Sequence, residues 1–334
     1  MRTWQPLGEA ALRKLVLAAE AAPSIHNSQP WRFRYHPDTG ALTVHSVEER
    51  VLPHLDPLGH ALHLSIGAAL FNLCVAARHL GHEPVVRLLP DPASPHLLAS
   101  VHMTGHPEAG ARAGPDLYAV IPERHTSRVP FDDEPVPGEV LAELVEAARE
   151  EDATLHFPEP QEKQRLLALT SEADRRTTMD PDRTEESRRW VHAPDRTGAG
   201  MPQEVLGARD TGAHLPMRDF TGLAPDTLPP RRAFERNPTI GLLATRNDHP
   251  EDWLRAGMAL EHVLLLATAH GLRASLMHQA MEWPDLRWAL RDPERGILNA
   301  HMLIRMGRAD THPGTPRRPL REVLETGALQ ERSP

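Results

Sequence analysis

Apolar positions at helical spacing run through residues 7–22 (LGEAALRKLVLAAEAA) and stop at Pro23. The pattern predicts an amphipathic helix, and Pro23 and Pro30 keep the backbone out of a helix in the stretch that follows. Two runs of strand-like residues, WRFRYH (31–36) and ALTVHSV (41–47), flank Pro37-Asp38-Thr39-Gly40 and predict a β-hairpin. Further strands are expected at VVRLLP (85–90), LLASVHM (97–103), TIGLLATRN (239–247), LRASLMHQ (272–279) and MLIRMGRA (302–309). Two windows, 61–80 and 257–271, are apolar on every face but broken by His, Asn, Arg or Glu. They predict buried core helices rather than membrane spans.

These windows also resemble each other. SIGAALFNLCVAARHLGH (65–82) aligns with RAGMALEHVLLLATAHGL (255–272) at an offset of 190, matching Gly67 to Gly257, Ala69 to Ala259 and Gly81 to Gly271. LRKLVLAAEAA (12–22) aligns with LAELVEAAREE (141–151) at an offset of 129. Two matches in one order point to an internal duplication. The offsets, 190 against 129, then place an insertion of 61 residues in the second half. Much of 172–237, rich in Asp, Arg, Thr, Gly and Pro with short apolar runs, fits it and predicts a loop-rich lid or binding loop, with a disordered excursion as the alternative. The seam is expected at PEAGARAG (107–114), dividing the chain into halves 1–112 and 113–334. The fold class expected is α+β (α/β), with sheets outside two buried helices.

Composition narrows the chemistry. A net charge of −9 without a basic run argues against nucleic acid as a partner. The one cysteine, Cys74, excludes an internal disulfide, lies mid-helix among apolar residues and favours a cytoplasmic location, which the lack of a visible signal peptide supports. Lysine occurs only at 14 and 163, so any anion site must be built from arginine, whose fork can hold two phosphate oxygens at once. Twenty-one histidines include His54, His60 and His63 close together, yet HExxH and similar dense ligand sets are missing, so no metal is expected. GxSxG, Walker and GxGxxG patterns are missing too.

The chemistry-bearing text is APSIHNSQPWRF (22–33). Between its prolines stand Ser24, His26, Asn27, Ser28 and Gln29, a dense set of neutral hydrogen-bonding groups suited to a many-handled polar ligand, or to satisfying the loop's own backbone. A second cluster, Arg124, His125, Thr126 and Arg128, precedes the helix that repeats 12–22, and a third, Arg317 and Arg318, lies between Pro316 and Pro319. Each could neutralise a phosphate or form a solvated turn.

Pro-Ser-x-x-Asn-x-Gln-Pro-Trp from Pro23 resembles the flavin-binding loop of the FMN-dependent nitroreductase family. RHTSR (124–128) resembles that family's opening arginine motif, with Phe131 one place later than usual, and TPRRP (315–319) its C-terminal basic clamp. The overall pattern is most similar to the Acg-type branch. The resemblance implies a nitroreductase fold duplicated in one chain: a monomeric pseudo-dimer in which one PSIHNSQPW loop and one RHTSR motif form a single FMN site. It implies cofactor contacts from Pro23, Ser24, His26, Asn27, Gln29, Arg124, His125, Thr126, Arg128, Arg317 and Arg318. Backbone groups near the flavin ring are implied at Met277, His278, Gln279 and Ala280, where Ala280 replaces a frequent glycine. Arg128 becomes the cation beside the reduced ring, and no protein acid is required. The function implied is hydride transfer from NAD(P)H, a transient reductant, through FMN to a small acceptor. Two readings compete with it: an FMN-sequestering protein whose lid blocks nicotinamide, and a scaffold without flavin.

Overall fold

The computed structural model describes residues 7–105, 115–191, 198–221, 229–291, 298–310 and 314–326. The expected seam at 107–114 falls outside them.

Helix α1 (Glu9–Glu20) turns Leu12, Leu15, Val16 and Ala19 inward, as its spacing predicts. The hairpin β1 (Trp31–His36) and β2 (Ala41–Ser46) pairs in antiparallel register, Trp31 opposite Ser46 and His36 opposite Ala41. Helix α2 (His60–His79) follows, then β3 (Glu83–Leu88) and β4 (Leu97–Thr104). Next come α3 (Leu117–Val120), α4 (Gly138–Glu150), β5 (Thr154–His156), α5 (Pro160–Met179) and α6 (Pro181–Arg189). Two-residue strands β6 (Arg209–Asp210) and β7 (Arg231–Arg232) pair with each other. Then follow β8 (Thr239–Thr245), α7 (Pro250–Ala269), β9 (Arg273–Met277), α8 (Pro284–Ala289), β10 (Asn299–Gly307), α9 (Leu320–Val323) and β11 (Leu324–Thr326).

The strands form two main sheets, β11-β1-β2-β4-β3 and β5-β8-β10-β9. The first packs with α1 and α2 around Trp31, Phe33, Phe71 and Leu98. The second packs with α4 and α7 around Leu144, Leu243, Val263 and Ile304. Between them α2 and α7 lie against each other, which is why both are apolar all round. Helix α2 has the length and composition to cross a membrane, but 89% of its apolar window is buried inside the fold. The expected α+β class, with sheets outside two central helices, is what the chain adopts. One strand crosses the expected division: β11 runs parallel to β1, with Phe33 opposite Leu324, so the C-terminus completes the first sheet.

The loop-rich reading of 172–237 needs correction at its start, because 172–189 is helical within α5 and α6. Their buried faces use small or polar residues, Thr170, Ala173, Thr177, Thr184 and Ser187, so no apolar stripe marks them. Charge pairing substitutes for it. Glu172 accepts from Arg175 at 2.9 Å and Arg176 at 2.8 Å, one turn away. Asp180 caps α6, its carboxylate accepting from the Asp182 and Arg183 amides at 3.1 Å each. Residues 198–221 do lack long elements, having one 3-10 turn, Gln203–Val205, and β6.

Candidate functional site

The loop after α1 is held in a costly shape. His26, Asn27 and Gln29 have φ of 51°, 53° and 48°, the left-handed region that side chains with a Cβ disfavour. Distant segments compensate. Asn27 Nδ2 donates to the Gly200 carbonyl at 2.8 Å and the Pro316 carbonyl at 3.0 Å. Gln29 Nε2 donates to the Gly198 carbonyl at 2.8 Å, and Gln29 Oε1 accepts the Arg318 amide at 2.9 Å. Ser24 Oγ accepts the Gln29 amide at 3.0 Å. Strain of this kind persists only where surrounding contacts over-determine it, and it clusters at functional sites.

Two adjoining clefts open against this loop and share Pro23, Ser24, Thr126 and Arg128 on their walls. The first is polar, about 410 Å³ with its open mouth included, and is lined further by Asn27, Arg124, His125, Thr315 and Arg317. Arg317 spans the end of α1: Nε donates to the Glu20 carbonyl at 2.5 Å and Nη2 to the Ala21 carbonyl at 2.9 Å, while Nη1 reaches Asn27 Oδ1 at 3.2 Å. Arg124 Nη2 also donates to the Ala21 carbonyl, at 2.9 Å. Two guanidinium groups thus meet the negative end of a helix.

Crowded cations mark this end. Burial and then Arg124 bring Arg317 down to about 10, and burial and then Arg218 bring Arg128 down to about 10. Burial, then Arg124 and Arg317, hold His125 at about 4, so it stays neutral. Two carboxylates stand behind. Glu261 Oε1 on α7 is 3.3 Å from Arg124 Nε, and burial raises Glu261 to about 7 against the pull of Arg124. Glu20 is likewise raised by burial to about 7 against Arg318 and Arg317. An anion with several acceptor oxygens is the complement of such a cleft.

The second cleft is larger, about 640 Å³ with open space included, and mostly apolar. Ala61, Leu64 and Ser65 of α2, Leu260 of α7, Leu276 of β9 and Met302 of β10 form its walls. Phe220 covers it. The His26 ring meets Phe220 edge-on at 5.3 Å, and the Arg128 and Arg218 guanidinium groups lie 4.9 and 5.8 Å from its centroid. His26 Nε2 bonds Ser187 Oγ at 3.0 Å, whereas its Nδ1 is buried without a protein partner. A buried, unpartnered ring nitrogen on a cleft wall is a group in want of a ligand.

Of the expected contacts, Pro23, Ser24, His26, Asn27, Arg124, His125, Thr126, Arg128, His278 and Arg317 line these clefts. Five do not line them. Gln29 is fully buried and clamps the loop. Arg318 is buried among the carbonyls of Trp31 at 3.1 Å and Glu322 at 3.0 Å. The Met277 and Ala280 side chains belong to the core beside Leu286 and Leu303, strand alternation turning Leu276 to the cleft and Met277 away, which leaves the expected backbone contacts open. Gln279 donates to the Pro216 carbonyl at 2.9 Å. Arg218, Phe220 and Glu282 on the larger cleft were not anticipated; an arginine and an aromatic two apart within the expected lid were the available signal. Cys74 is buried, its thiol pushed up to about 12, as an inert core residue would be. Trp31 is wholly buried beneath the loop rather than on a cleft wall.

Comparison with known proteins gives one consistent result. Residues 121–292 match the Nitroreductase family model. A Mycobacterium tuberculosis protein provisionally named NAD(P)H nitroreductase, Rv3131, is 34% identical, covering 97% of this chain and 94% of its own. Another from that organism, provisionally named NAD(P)H nitroreductase acg, is 29% identical, covering 96% of this chain and 97% of its own. Among solved structures, a nitroreductase with bound FMN from Desulfitobacterium hafniense DCB-2 aligns at 15% identity and a TM-score of 0.39, over 63% of this chain and 96% of that one. With the family model spanning half the sequence and a relative matched nearly end to end, the chain belongs to the nitroreductase family.

Proposed function

We propose that the chain binds one FMN, its phosphate in the arginine-lined cleft and its ring in the apolar one, and uses it to pass hydride from NAD(P)H to a small acceptor. One observation carries this reading: the two clefts adjoin through Ser24, Thr126 and Arg128, with opposite character at their two ends. An amphipathic ligand with an anionic tail suits that arrangement. The unpartnered His26 Nδ1 fits a polar ring edge.

Bound there, FMN would supply the electron chemistry, and the chain would supply position, charge and dryness. Arg124, Arg128 and Arg317 would hold the phosphate end. Arg128, common to both clefts, would also be a cation beside the reduced ring. Leu64, Leu260 and Met302 would exclude water from one face.

The same reading makes the chain a pseudo-dimer working as a monomer. Its support is that the two central helices matched by sequence pack together, each carrying a neighbouring helix, α1 on α2 and α4 on α7. The test is stoichiometry. Flavin released by denaturation and quantified against protein should give one FMN per chain; two, or none after reconstitution, would overturn the composite site.

A second reading is favoured by Phe220. An aromatic roof pinned by Arg128 and His26 would obstruct a stacked nicotinamide, leaving a protein that sequesters FMN with little turnover. Rapid mixing decides between them: ready reduction by dithionite with slow reduction by NADPH supports sequestration, and fast NADPH reduction discards it.

A further inference from the structure

Behind the apolar cleft three histidine rings are bonded in series. His278 Nε2 meets His60 Nδ1 at 3.1 Å, and His60 Nε2 meets His301 Nδ1 at 2.8 Å. His301 Nε2 then meets Thr245 Oγ1 at 2.5 Å, and that hydroxyl donates to the Asn247 carbonyl at 2.7 Å. The rings link end to end and do not converge on a point, so this is not the geometry of a metal centre.

The direction of the chain follows from its partners. Arg287 Nη2, 3.3 Å from His301 Nδ1, can only donate, so His301 Nδ1 is an acceptor and His301 carries its hydrogen on Nε2. Thr245 accepts that hydrogen and gives its own to a carbonyl. His60 must therefore donate from Nε2 to His301, which leaves His60 Nδ1 as the acceptor for His278 Nε2–H. Burial first, then Arg287 and neighbouring imidazoles, hold His60 and His301 well below the usual histidine range, which keeps both neutral in these tautomers. At the near end His278 Nδ1 lies 3.3 Å from Glu282 Oε1. Glu282 also pairs with Arg218; burial pushes this carboxyl up, but Arg218 and His278 hold it below its usual value, as a carboxylate. An ionised oxygen cannot donate, so the hydrogen between the two must sit on His278.

We propose that His278 is a proton donor built into the wall of the apolar cleft, held with hydrogen on both ring nitrogens by the one-way chain through His60, His301 and Thr245 on one side and by the Glu282 carboxylate on the other. His278 and Glu282 both line the cleft, so the proton they share is at the place where the acceptor is reduced. Resting on the flavin reading, the step is balanced as follows. The acceptor takes two electrons and one hydrogen as hydride from the reduced flavin and a proton from the His278–Glu282 pair. His278 is left a neutral imidazole and is reloaded from solvent. Among the charged and titratable groups facing this pair, Glu282 and Asp56 favour the cation, Arg218, Arg183 and Arg287 oppose it, and buried His26 stays neutral. His60 and His301 are positioning residues that act through His278.

The test begins on full-length protein without added flavin. Long-range 1H–15N NMR of the 15N-histidine-labelled chain is assigned with His278→Gln. At neutral pH His278 should carry hydrogen on both nitrogens, and His60 and His301 on Nε2 alone. Thr245→Val, close in shape but lacking the hydroxyl, removes one of the two groups that set the chain's direction and leaves His301 Nε2–H without its acceptor, so it should shift His278 partway toward its neutral form; His60→Phe, which removes the acceptor of His278 Nε2–H, should shift it fully. A neutral His278 in the wild type, or an unchanged His278 in both variants, overturns the proposal. The second arm reduces FMN-loaded protein with dithionite and mixes it with 1,4-benzoquinone. His278→Gln should slow reoxidation by about a hundredfold, the low end for a positioned acid, and remove the pH dependence that follows the His278 signal. Equal rates overturn the proposal. A chain that takes up no FMN sinks the flavin reading instead, and the NMR arm then decides the proposal alone.

Discussion

Gly67 on α2 and Gly257 on α7 touch where the central helices cross: a Cβ on Gly67 would lie 2.1 Å from the Leu254 carbonyl oxygen and 2.9 Å from Gly257 Cα. The obstacle is backbone, which cannot rotate aside. Gly67→Ala therefore has to separate two helices that carry Leu64 and Leu260 on the cleft wall. The helix-propensity gain of about 1 kcal/mol should be outweighed by overpacking of about 1–3 kcal/mol or more. Urea unfolding should show a lower midpoint, and ligand titration weaker FMN binding. An equal or raised midpoint would contradict the close approach.

Arg124 and Arg317 should separate under substitution, because they hold different amounts of protein. Arg124→Ala should weaken FMN by about 10- to 150-fold, the range for a lost charged contact of about 1.5–3 kcal/mol, while riboflavin, lacking the phosphate, changes little. Arg317→Ala strips donors from the carbonyls of both Glu20 and Ala21, where Arg124→Ala strips one from Ala21 alone, so it should lower the thermal midpoint further and weaken both ligands. Equal losses for both ligands in Arg124→Ala would make Arg124 a structural residue.

Glu261 gives a pH dependence of defined sign. Burial holds it at about 7, above its usual 4.5, so the folded chain binds this proton more tightly than the unfolded one. Its stabilising contribution is complete below 4.5 and is lost as pH rises through about 7. Glu20, also raised to about 7, acts in the same direction. The thermal midpoint should fall between about pH 5 and pH 8, and Glu261→Gln should flatten part of that slope. An identical slope in the variant would remove Glu261 as its source.

Phe220→Ala tests the roof over the apolar cleft. Losing the ring releases the contacts of His26 and Arg128 with it, so stopped-flow traces should show faster reduction by NADPH and dialysis a quicker loss of FMN. Unchanged reduction would mean that the roof does not control nicotinamide access.

What the sequence made legible was what local pattern encodes. The β1–β2 hairpin follows from alternation around a Pro-Asp-Thr-Gly turn, and the central helices follow from windows apolar on all faces. The loop and arginine motifs led to nine cleft residues because the prolines that bracket the loop and the short arginine runs leave a readable trace there. Helices α5 and α6 were hidden because they bury threonine, serine and alanine where apolar residues were sought. Gln29 and Arg318 were placed at the ligand because polarity signals bonding without naming the partner, and theirs are protein carbonyls and amides. The histidine series was invisible, since His60, His278 and His301 meet only through the crossing of α2 with the second sheet.

Strand β11 has a consequence for how the chain is made. It lies beside β1, about 290 residues earlier in the chain, and the Asn27 and Gln29 clamps reach carbonyls as distant as Pro316. During translation the first sheet waits with an open β1 edge, and the 22–30 loop stays slack, until residues 314–326 have left the ribosome. Such an edge can recruit other strands, and pairings this remote form slowly. A ribosome stalled before residue 314 would release a fragment with an intact α1–β4 pattern, an unfinished sheet and no clamped loop. Production of this protein should therefore depend on chaperone supply and on smooth elongation through the codons for residues 314–326.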